Sequence, residues 1–137
     1  MQPIPYLFFQ NTCEEAMTFY GSVFGSEPDF MRVAGSPMAA DLPAEARNGI
    51  MHAALKLGEG WIYASDDLGM EPSPTMAGCN VSVSLPTLEE AHRVFDALSA
   101  AGEVRMPLEP TFWSAGFGAF TDRFGIRWMI DTDTPAD

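Results

Sequence analysis

His52 is the side chain with the most evident chemical capacity in this 137-residue chain. It alternates with Ala54 and Lys56 along one face of a predicted strand, whereas Ala53 and Leu55 belong to the other face. An imidazole on the polar face of a strand can serve as a general base or as a hydrogen-bonding group for a ligand. A histidine with a purely structural role would show the same pattern, so both interpretations stay open. Because no nucleophile is positioned beside His52, the sequence predicts no catalytic triad.

Large aromatic side chains accompany this histidine. Trp61 and Tyr63 share one face of the next predicted strand, and Trp113 and Phe117 lie at a later one. Together with Met129, these residues are typical of an adaptable apolar wall around a ligand. The alternative for tryptophan is burial in a dimer interface, where this residue type is enriched.

The elements that must position these side chains occur twice. The segment from Thr12 to Gly25 matches the segment from Thr87 to Gly102 at an offset of 75 residues. Each copy opens with T-x-x-E, the pattern of a capping box, and each ends at a glycine suited to a left-handed helix cap. Apolar residues between these ends recur at helical spacing, so the repeat predicts two equivalent amphipathic helices.

The flanks of the two predicted helices repeat as well. One strand precedes each helix, at Ile4–Gln10 and at Asn80–Leu85, and three strands follow each helix. The last two of these three form a hairpin in each copy, with turns at Gly58–Gly60 and Asp122–Gly125. We therefore predict one domain over residues 1–137, made of a first module at 1–66, a connector at 67–79 and a second module at 80–137.

Several short motifs carry a family resemblance. They are Y-L-x-F at Tyr6–Phe9 followed by E-E-A-x-x-F-Y, M-H-A at Met51–Ala53, T-F-W at Thr111–Trp113 and D-R-F-G-I-R-W at Asp122–Trp128. With the duplication, the chain resembles the vicinal oxygen chelate superfamily of glyoxalases, bleomycin resistance proteins and dioxygenases. The finer motifs are similar to its PhnB-like branch, which often bears a demethylubiquinone methyltransferase-like label. This resemblance implies an α+β fold of two βαβββ modules that line a cleft, paired as a homodimer.

The resemblance also implies where a metal would be held, namely on the first and fourth strands of each module. Those positions fall here on Pro5, Tyr63, Asn80 and Met129. Proline and methionine offer no ligand for a hard metal ion, and tyrosine and asparagine are weak ones. We therefore expect no metal. We also expect no cofactor, because the sequence lacks the glycine-rich turn that a methyl-donor site needs.

The resemblance and the period-two alternation together predict which side chains face the cleft. In the first strand, Tyr6 and Phe8 are assigned to the helix side, which leaves Leu7 and Phe9 on the concave side. In the equivalent strand, the valines are assigned to the core and the polar residues to the cleft, namely Asn80, Ser82 and Ser84. One flank would then be apolar and the other hydrogen-bonding, which suits a small amphipathic ligand. The alternative is that the serines face solvent.

Charge and cysteine content narrow the functional classes. A net charge of −12 disfavours nucleic-acid and membrane partners, and it is compatible with a cationic ligand without selecting one. Two cysteines cannot build a disulfide framework, and no signal peptide is evident, so we expect a cytoplasmic protein. Cys13 lies in the first turn of a predicted helix, where a thiol pKa can fall, although a packed, unreactive cysteine is the simpler interpretation.

The function predicted from these observations is the binding of a small organic molecule without a metal. The predicted contact residues lie in both modules: Leu7, Phe9, His52, Trp61, Tyr63, Asn80, Ser82, Trp113, Phe117 and Met129. The alternative is an enzyme of lyase, isomerase or dioxygenase type that acts through His52 with an unconventional metal or none. A structural dimer whose cleft is filled by side chains is the third possibility.

Overall fold

Each half of the chain folds into a four-stranded sheet with one helix packed on it. The structure is a computed structural model that describes residues 1–69 and 71–137. It consists of two compact units, Met1–Pro74 and Thr75–Asp137, and the division between them falls within the expected connector at 67–79. Met70, which belongs to that connector, lies outside the described residues. The predicted α+β fold of two βαβββ modules is confirmed.

The first unit forms a sheet of mixed direction. Its strand order is β1-β4-β3-β2, with β1 parallel to β4 and the other pairs antiparallel. Two short 3₁₀ helices, Pro37–Asp41 and Ala44–Ala46, occupy the long loop before β3. The main elements are β1 (Tyr6–Phe9), α1 (Cys13–Phe24), β2 (Asp29–Arg32), β3 (Ile50–Leu57) and β4 (Gly60–Asp66).

The second unit repeats this arrangement. Its strand order is β5-β8-β7-β6, with β5 parallel to β8 and the other pairs antiparallel. The elements are β5 (Val81–Leu85), α2 (Leu88–Ser99), β6 (Glu103–Glu109), β7 (Phe117–Thr121) and β8 (Arg127–Thr132).

One face of each sheet is closed by its helix, and the other face is here called the open face. In the first unit the apolar side of α1 packs on Ala53 and Leu55 of β3 and on Ile62 and Ala64 of β4, all of them buried. In the second unit α2 covers Phe120, Trp128 and Ile130 in the same way, through the buried residues Ala91, Val94, Phe95 and Leu98. Fully burying one such apolar side chain contributes roughly 1.5–3 kcal/mol, so this packing fixes which residues each strand turns inward.

The predicted phase of the first strand is wrong. Leu7 and Phe9 are 5% and 3% exposed and belong to the core, whereas Tyr6 and Phe8 are 41% and 53% exposed on the open face. The register decides this, because Leu7 lies opposite Ala64, and residues that lie opposite each other point to the same side of a sheet. Leu7 and Phe9 therefore pack on the helix side, away from the predicted ligand face.

The start of α1 also differs from the predicted capping box. The Thr12 side chain forms no capping hydrogen bond. Instead the buried carboxylate of Asp66, at the end of β4, accepts a hydrogen bond from the backbone N–H of Cys13 at 3.0 Å and another from that of Ile50 at 2.8 Å. In α2 the predicted cap is present, since the Thr87 hydroxyl accepts a hydrogen bond from the Glu90 N–H at 3.1 Å.

The two helices end differently. Gly25 caps α1 with a left-handed backbone at φ 72°, as predicted. After α2 the left-handed residue is Ala101, not Gly102. Gly102 is required for another reason, because a Cβ there would lie 2.3 Å from the carbonyl oxygen of Thr121. The expected glycine cap of the second helix is therefore wrong, and the glycine serves a close backbone approach.

The motif D-R-F-G-I-R-W is a hairpin held together by one buried carboxylate. Asp122 Oδ1 accepts hydrogen bonds from the backbone N–H groups of Phe124 at 2.9 Å and Ile126 at 3.0 Å. Its Oδ2 accepts a hydrogen bond from Trp128 Nε1 at 2.9 Å. The carboxylate thus sets both the turn and the inward direction of the Trp128 ring.

We expect Asp122→Asn to destabilise the protein by about 2 kcal/mol or more. The amide nitrogen of the asparagine would face the buried indole N–H of Trp128, which would then lack an acceptor. Urea unfolding measures the change. Asp96→Asn, a matched substitution on the exposed side of α2, should stay within about 0.5 kcal/mol of the original protein. Equal stabilities of the two variants would contradict this role of Asp122.

Candidate functional site

The open face of the first sheet carries His52. On β3, Ala53 and Leu55 are buried against α1, while His52 and Ala54 are partly exposed on the other side. His52 lies opposite Met31 of β2, which is also exposed. The structure therefore places His52 on the face that its alternation with Ala54 and Lys56 predicts.

Two aromatic rings flank the imidazole on this face, and two more rings pack on those two. The ring centroid of Tyr63 lies 4.9 Å from that of His52, and the ring centroid of Tyr6 lies 5.7 Å away. Phe8 packs on Tyr6 at 5.3 Å, and Trp61 lies 6.4 Å from Tyr63. We call these five residues the aromatic cluster: Tyr6, Phe8, His52, Trp61 and Tyr63.

A hydrogen bond orients the imidazole within this cluster. The Tyr6 hydroxyl and His52 Nδ1 lie 3.2 Å apart, and the tautomer of the ring sets which of the two donates. Within the described part of the chain, His52 Nε2 has no hydrogen-bond partner. The ring is therefore held through Nδ1 alone among the described residues.

The second sheet also has an open face. The residues of β5 and β8 on this face are those that the sequence predicts. Ser82 lies opposite Met129, and Ser84 lies opposite Asp131, whereas Trp128 and Ile130 are buried on the helix side. Phe117 of β7 lies opposite Asp131 and so belongs to the open face as well.

The T-F-W motif forms a tight turn that directs Trp113 outward. The Thr111 hydroxyl accepts hydrogen bonds from the backbone N–H groups of Trp113 at 3.4 Å and Ser114 at 3.1 Å. Ser114 in turn donates a hydrogen bond to Asp131 Oδ1 at 2.6 Å. Trp113 is 51% exposed and packs edge-on against Phe117, with ring centroids 5.5 Å apart.

Asn80, which immediately precedes β5, is joined to a residue that sequence reasoning missed. Arg105 Nη2 donates hydrogen bonds to Asn80 Oδ1 at 2.8 Å and to the Phe120 carbonyl oxygen at 3.0 Å. No local signal identified Arg105, because its position in β6 follows from irregular pairing with β7.

Tyr6 and Phe8 were also missed, although a signal for them exists. Strand β4, which pairs with β1, turns Ile62 and Ala64 inward. The sequence predicted this inward direction correctly. Assigning β1 by its partner rather than by its own composition would have placed both rings on the open face.

A pocket of about 180 Å³ lies elsewhere in the first unit and includes none of the predicted site residues. The carboxylate of Asp67 in its wall already accepts hydrogen bonds from the backbone N–H and the hydroxyl of Ser73, both at 2.9 Å. The other lining residues are Gln10, Asn11, Glu45, Ala46, Gly69 and Pro72. The Asp67 carboxylate is thus already engaged within the protein.

Comparison with known proteins decides the family. The model of the Glyoxalase/Bleomycin resistance protein/Dioxygenase superfamily matches residues 4–130. The chain belongs to this superfamily. Protein YjdN of Escherichia coli (strain K12) is 32% identical over 136 residues, which cover 93% of this chain and 92% of YjdN.

Solved structures share this fold over nearly the whole chain. Protein PA1353 from Pseudomonas aeruginosa is 39% identical, with a TM-score of 0.86 and coverage of 98% of both chains. A PhnB protein from Bacillus cereus, named as a putative 3-demethylubiquinone-9 3-methyltransferase, is 22% identical, with a TM-score of 0.73 and coverage of 96% of this chain and 99% of that one. This second likeness supports the fold.

The donor groups at the four positions where the family resemblance predicts metal ligands do not fit a divalent ion. Pro5 has no donor side chain, Met129 offers a thioether, and Tyr63 is packed against His52. The amide oxygen of Asn80 already accepts a hydrogen bond from the cationic Arg105, so a metal ion there would meet a positive charge. Within residues 1–69 and 71–137, no three His, Cys, Asp or Glu side chains gather as a metal site would require.

Cys13 is buried, contrary to the idea of an activated thiol at a helix start. Its side chain is fully enclosed, and burial, together with the nearby carboxylates of Asp66 and Glu14, raises the pKa of the thiol to about 12. Cys79, by contrast, is exposed.

We expect one fast-reacting thiol per chain with a disulfide reagent at pH 8. With a pKa near 12, roughly one Cys13 thiol in ten thousand is ionised at that pH, and burial blocks access as well. Cys79→Ser should abolish the fast phase, while Cys13 should react only after unfolding. A fast phase that survives in Cys79→Ser would contradict this account.

Proposed function

We propose that the protein binds a small organic molecule on the open face of the first sheet, against the aromatic cluster, without a metal ion. The observation that carries this proposal is the continuous run of packed rings that includes His52, on a face that the helix leaves uncovered. Contiguous exposed apolar surface is costly in water and marks binding sites more often than chance.

The cluster combines the two features of a ligand site. Its rings supply broad apolar area with edges and faces for stacking, and His52 Nε2 supplies one directional polar contact. Since Tyr6 holds His52 Nδ1 at 3.2 Å, the imidazole is oriented before a ligand arrives, which lowers the entropic cost of binding.

Residues of the second unit remain predicted ligand contacts. They lie on or beside the open face of its sheet and combine hydroxyl, amide and apolar groups: Asn80, Ser82, Trp113, Phe117 and Met129. Leu7 and Phe9 are no longer part of the proposal, because both are buried in the core.

The test uses neutral aromatic fragments and nuclear magnetic resonance. Binding at the cluster should shift the signals of the Trp61 indole N–H and the His52 ring, while the indole of the buried Trp128 serves as the internal control. Fragments that shift Trp61 and Trp128 equally, or neither of them, would contradict the proposal.

We expect His52→Gln to weaken the best such fragment by about 1–2 kcal/mol, the contribution of one hydrogen bond, while the fold survives. Calorimetric titration measures the loss. His92→Gln on the exposed side of α2 is the matched control and should bind like the original protein. Unchanged affinity in His52→Gln together with lower stability would show a structural role for the residue.

Catalysis through His52 is the second candidate, and the Tyr6–His52 hydrogen bond is the observation that favours it. A hydroxyl that orients an imidazole is an arrangement that general acid–base chemistry uses. In that case His52→Gln lowers the rate at least about a hundredfold rather than affecting affinity alone. The reaction would be of lyase, isomerase or dioxygenase type, with no metal or one bound unconventionally.

We expect the purified and dialysed protein to hold far less than one divalent ion per chain. The reason is the donor set Pro5, Tyr63, Asn80 and Met129, which offers no strong ligand. Elemental analysis for nickel, zinc, iron and manganese measures the content. About one ion per chain, or a rise in melting temperature with micromolar metal, would contradict the expectation.

We further expect a two-fold symmetric dimer joined near the sheet edges. Large exposed apolar side chains outside the aromatic cluster lie on the edge strands β2 and β6: Met31, Val104 and Met106. Pairing would remove this surface from water and stabilise the dimer by roughly 25 cal/mol per Å² of buried apolar area. Light scattering at micromolar concentration should give twice the chain mass, and a monomer mass would refute the dimer.

The proposed location is the cytoplasm. Both cysteines are free thiols, which suits a reducing compartment. No helix among the described residues has the length and apolar character needed to cross a bilayer.

A further inference from the structure

Two arginine side chains lie near enough to influence each other on the open face of the second sheet. Arg127 begins β8 and lies opposite Thr121, while its neighbour Trp128 is buried on the helix side. Arg105 of β6 reaches across β7 and β8 to Asn80, which precedes β5 at the same end of the sheet. The chain has seven basic residues and nineteen acidic ones, so two of its few cations gather at one place.

These guanidinium groups have donors that the protein leaves unsatisfied. The Nε atoms of both Arg105 and Arg127 are buried and lack a hydrogen-bond partner among the described residues. The salt bridges of those residues join Arg32 to Glu14 and Arg93 to Glu90, and neither involves Arg105 or Arg127. Buried N–H donors without acceptors are rare in native proteins and call for an explanation.

Electrostatics agrees with the geometry. Burial lowers the pKa of Arg105, and the neighbouring charge of Arg127 lowers it further, while Glu103 acts in the opposite direction from beyond ion-pair distance. Two like charges are thus held near each other without a bound carboxylate between them.

We propose that Arg105 and Arg127 bind the oxyanion group of a small molecule, such as a carboxylate, phosphoryl or sulfonyl group. The planar edge of a guanidinium offers parallel N–H donors that match two oxygens of such a group. Asn80 and the Phe120 carbonyl already hold Arg105 in place, so its orientation is fixed in advance. This inference is independent of the aromatic cluster, because it uses residues of the second unit alone.

The negative net charge of the chain makes anion binding a specific test of this proposal. A chain at −12 repels anions in general, so an anion that binds at low concentration does so through local donors. Inorganic phosphate is therefore a suitable probe, with chloride at equal ionic strength as the reference.

The experiment follows arginine Nε–H signals by nuclear magnetic resonance during titration with phosphate, methylphosphonate, sulfate and acetate. The signals of Arg105 and Arg127 should shift with saturation, and that of Arg93 should not. Whether acetate or the tetrahedral anions bind more tightly identifies the preferred oxyanion.

Variants then separate charge from geometry. Arg127→Gln should weaken phosphate binding about tenfold or more, and Arg127→Lys, which keeps the charge but not the planar donors, should also weaken it. Arg93→Gln changes the net charge equally on the exposed side of α2 and should bind within about twofold of the original protein. Circular dichroism checks that each variant is folded.

The proposal is overturned if none of the four anions shifts the two Nε–H signals beyond the effect of chloride. It is also overturned if Arg93→Gln loses as much affinity as Arg127→Gln. Should Arg127→Gln fail to fold, the signals of the original protein and the Arg127→Lys variant decide the question.

Discussion

The buried carboxylate of Asp66 is the interaction on which the first unit depends. It accepts hydrogen bonds from the first N–H of α1, at Cys13, and from the first N–H of β3, at Ile50. Both donors would otherwise be buried without a partner, and a charged acceptor makes strong hydrogen bonds to them. One side chain at the end of β4 therefore fixes where the helix begins and where the neighbouring strand begins.

The sidedness of the sheet follows from that placement. Once α1 covers one face, Leu7, Leu55 and Ala64 must pack beneath it, and the alternate residues of the same strands must face away. The rings around His52 are those alternate residues. The candidate site is thus the part of the sheet that the helix does not close, and the core that stabilises the fold also determines which rings are exposed.

The second unit uses the same principle with a different carboxylate. Asp122 holds the β7–β8 hairpin and binds the indole N–H of Trp128, which keeps that ring inward. Because alternate residues of β8 point to opposite sides, Arg127 and Met129 must then face outward. Two of the few cations of a strongly acidic chain, Arg105 and Arg127, thus come to lie near each other, so net charge is a poor guide to the charge at a particular face.

The sequence by itself determined the repeated βαβββ order, because helical and period-two spacing are local properties that the duplication shows twice. It also determined the faces of β3, β4, β5 and β8, where one alternating set is apolar and the other contains polar or charged groups. The face of β1 was decided only by tertiary structure. All four residues of Tyr6–Phe9 are apolar or aromatic, so composition cannot distinguish the two sides, and pairing with β4 selects one.

Two further features required contacts that are distant along the chain. The cap of α1 comes from Asp66, which is 53 residues from Cys13, although Thr12 supplies the expected local pattern. Arg105 joins Asn80 across 25 residues through an irregular strand pairing. Local spacing cannot predict either contact. Each contact depends on which strand ends lie together in the folded sheet, and the packing of the whole unit sets that arrangement.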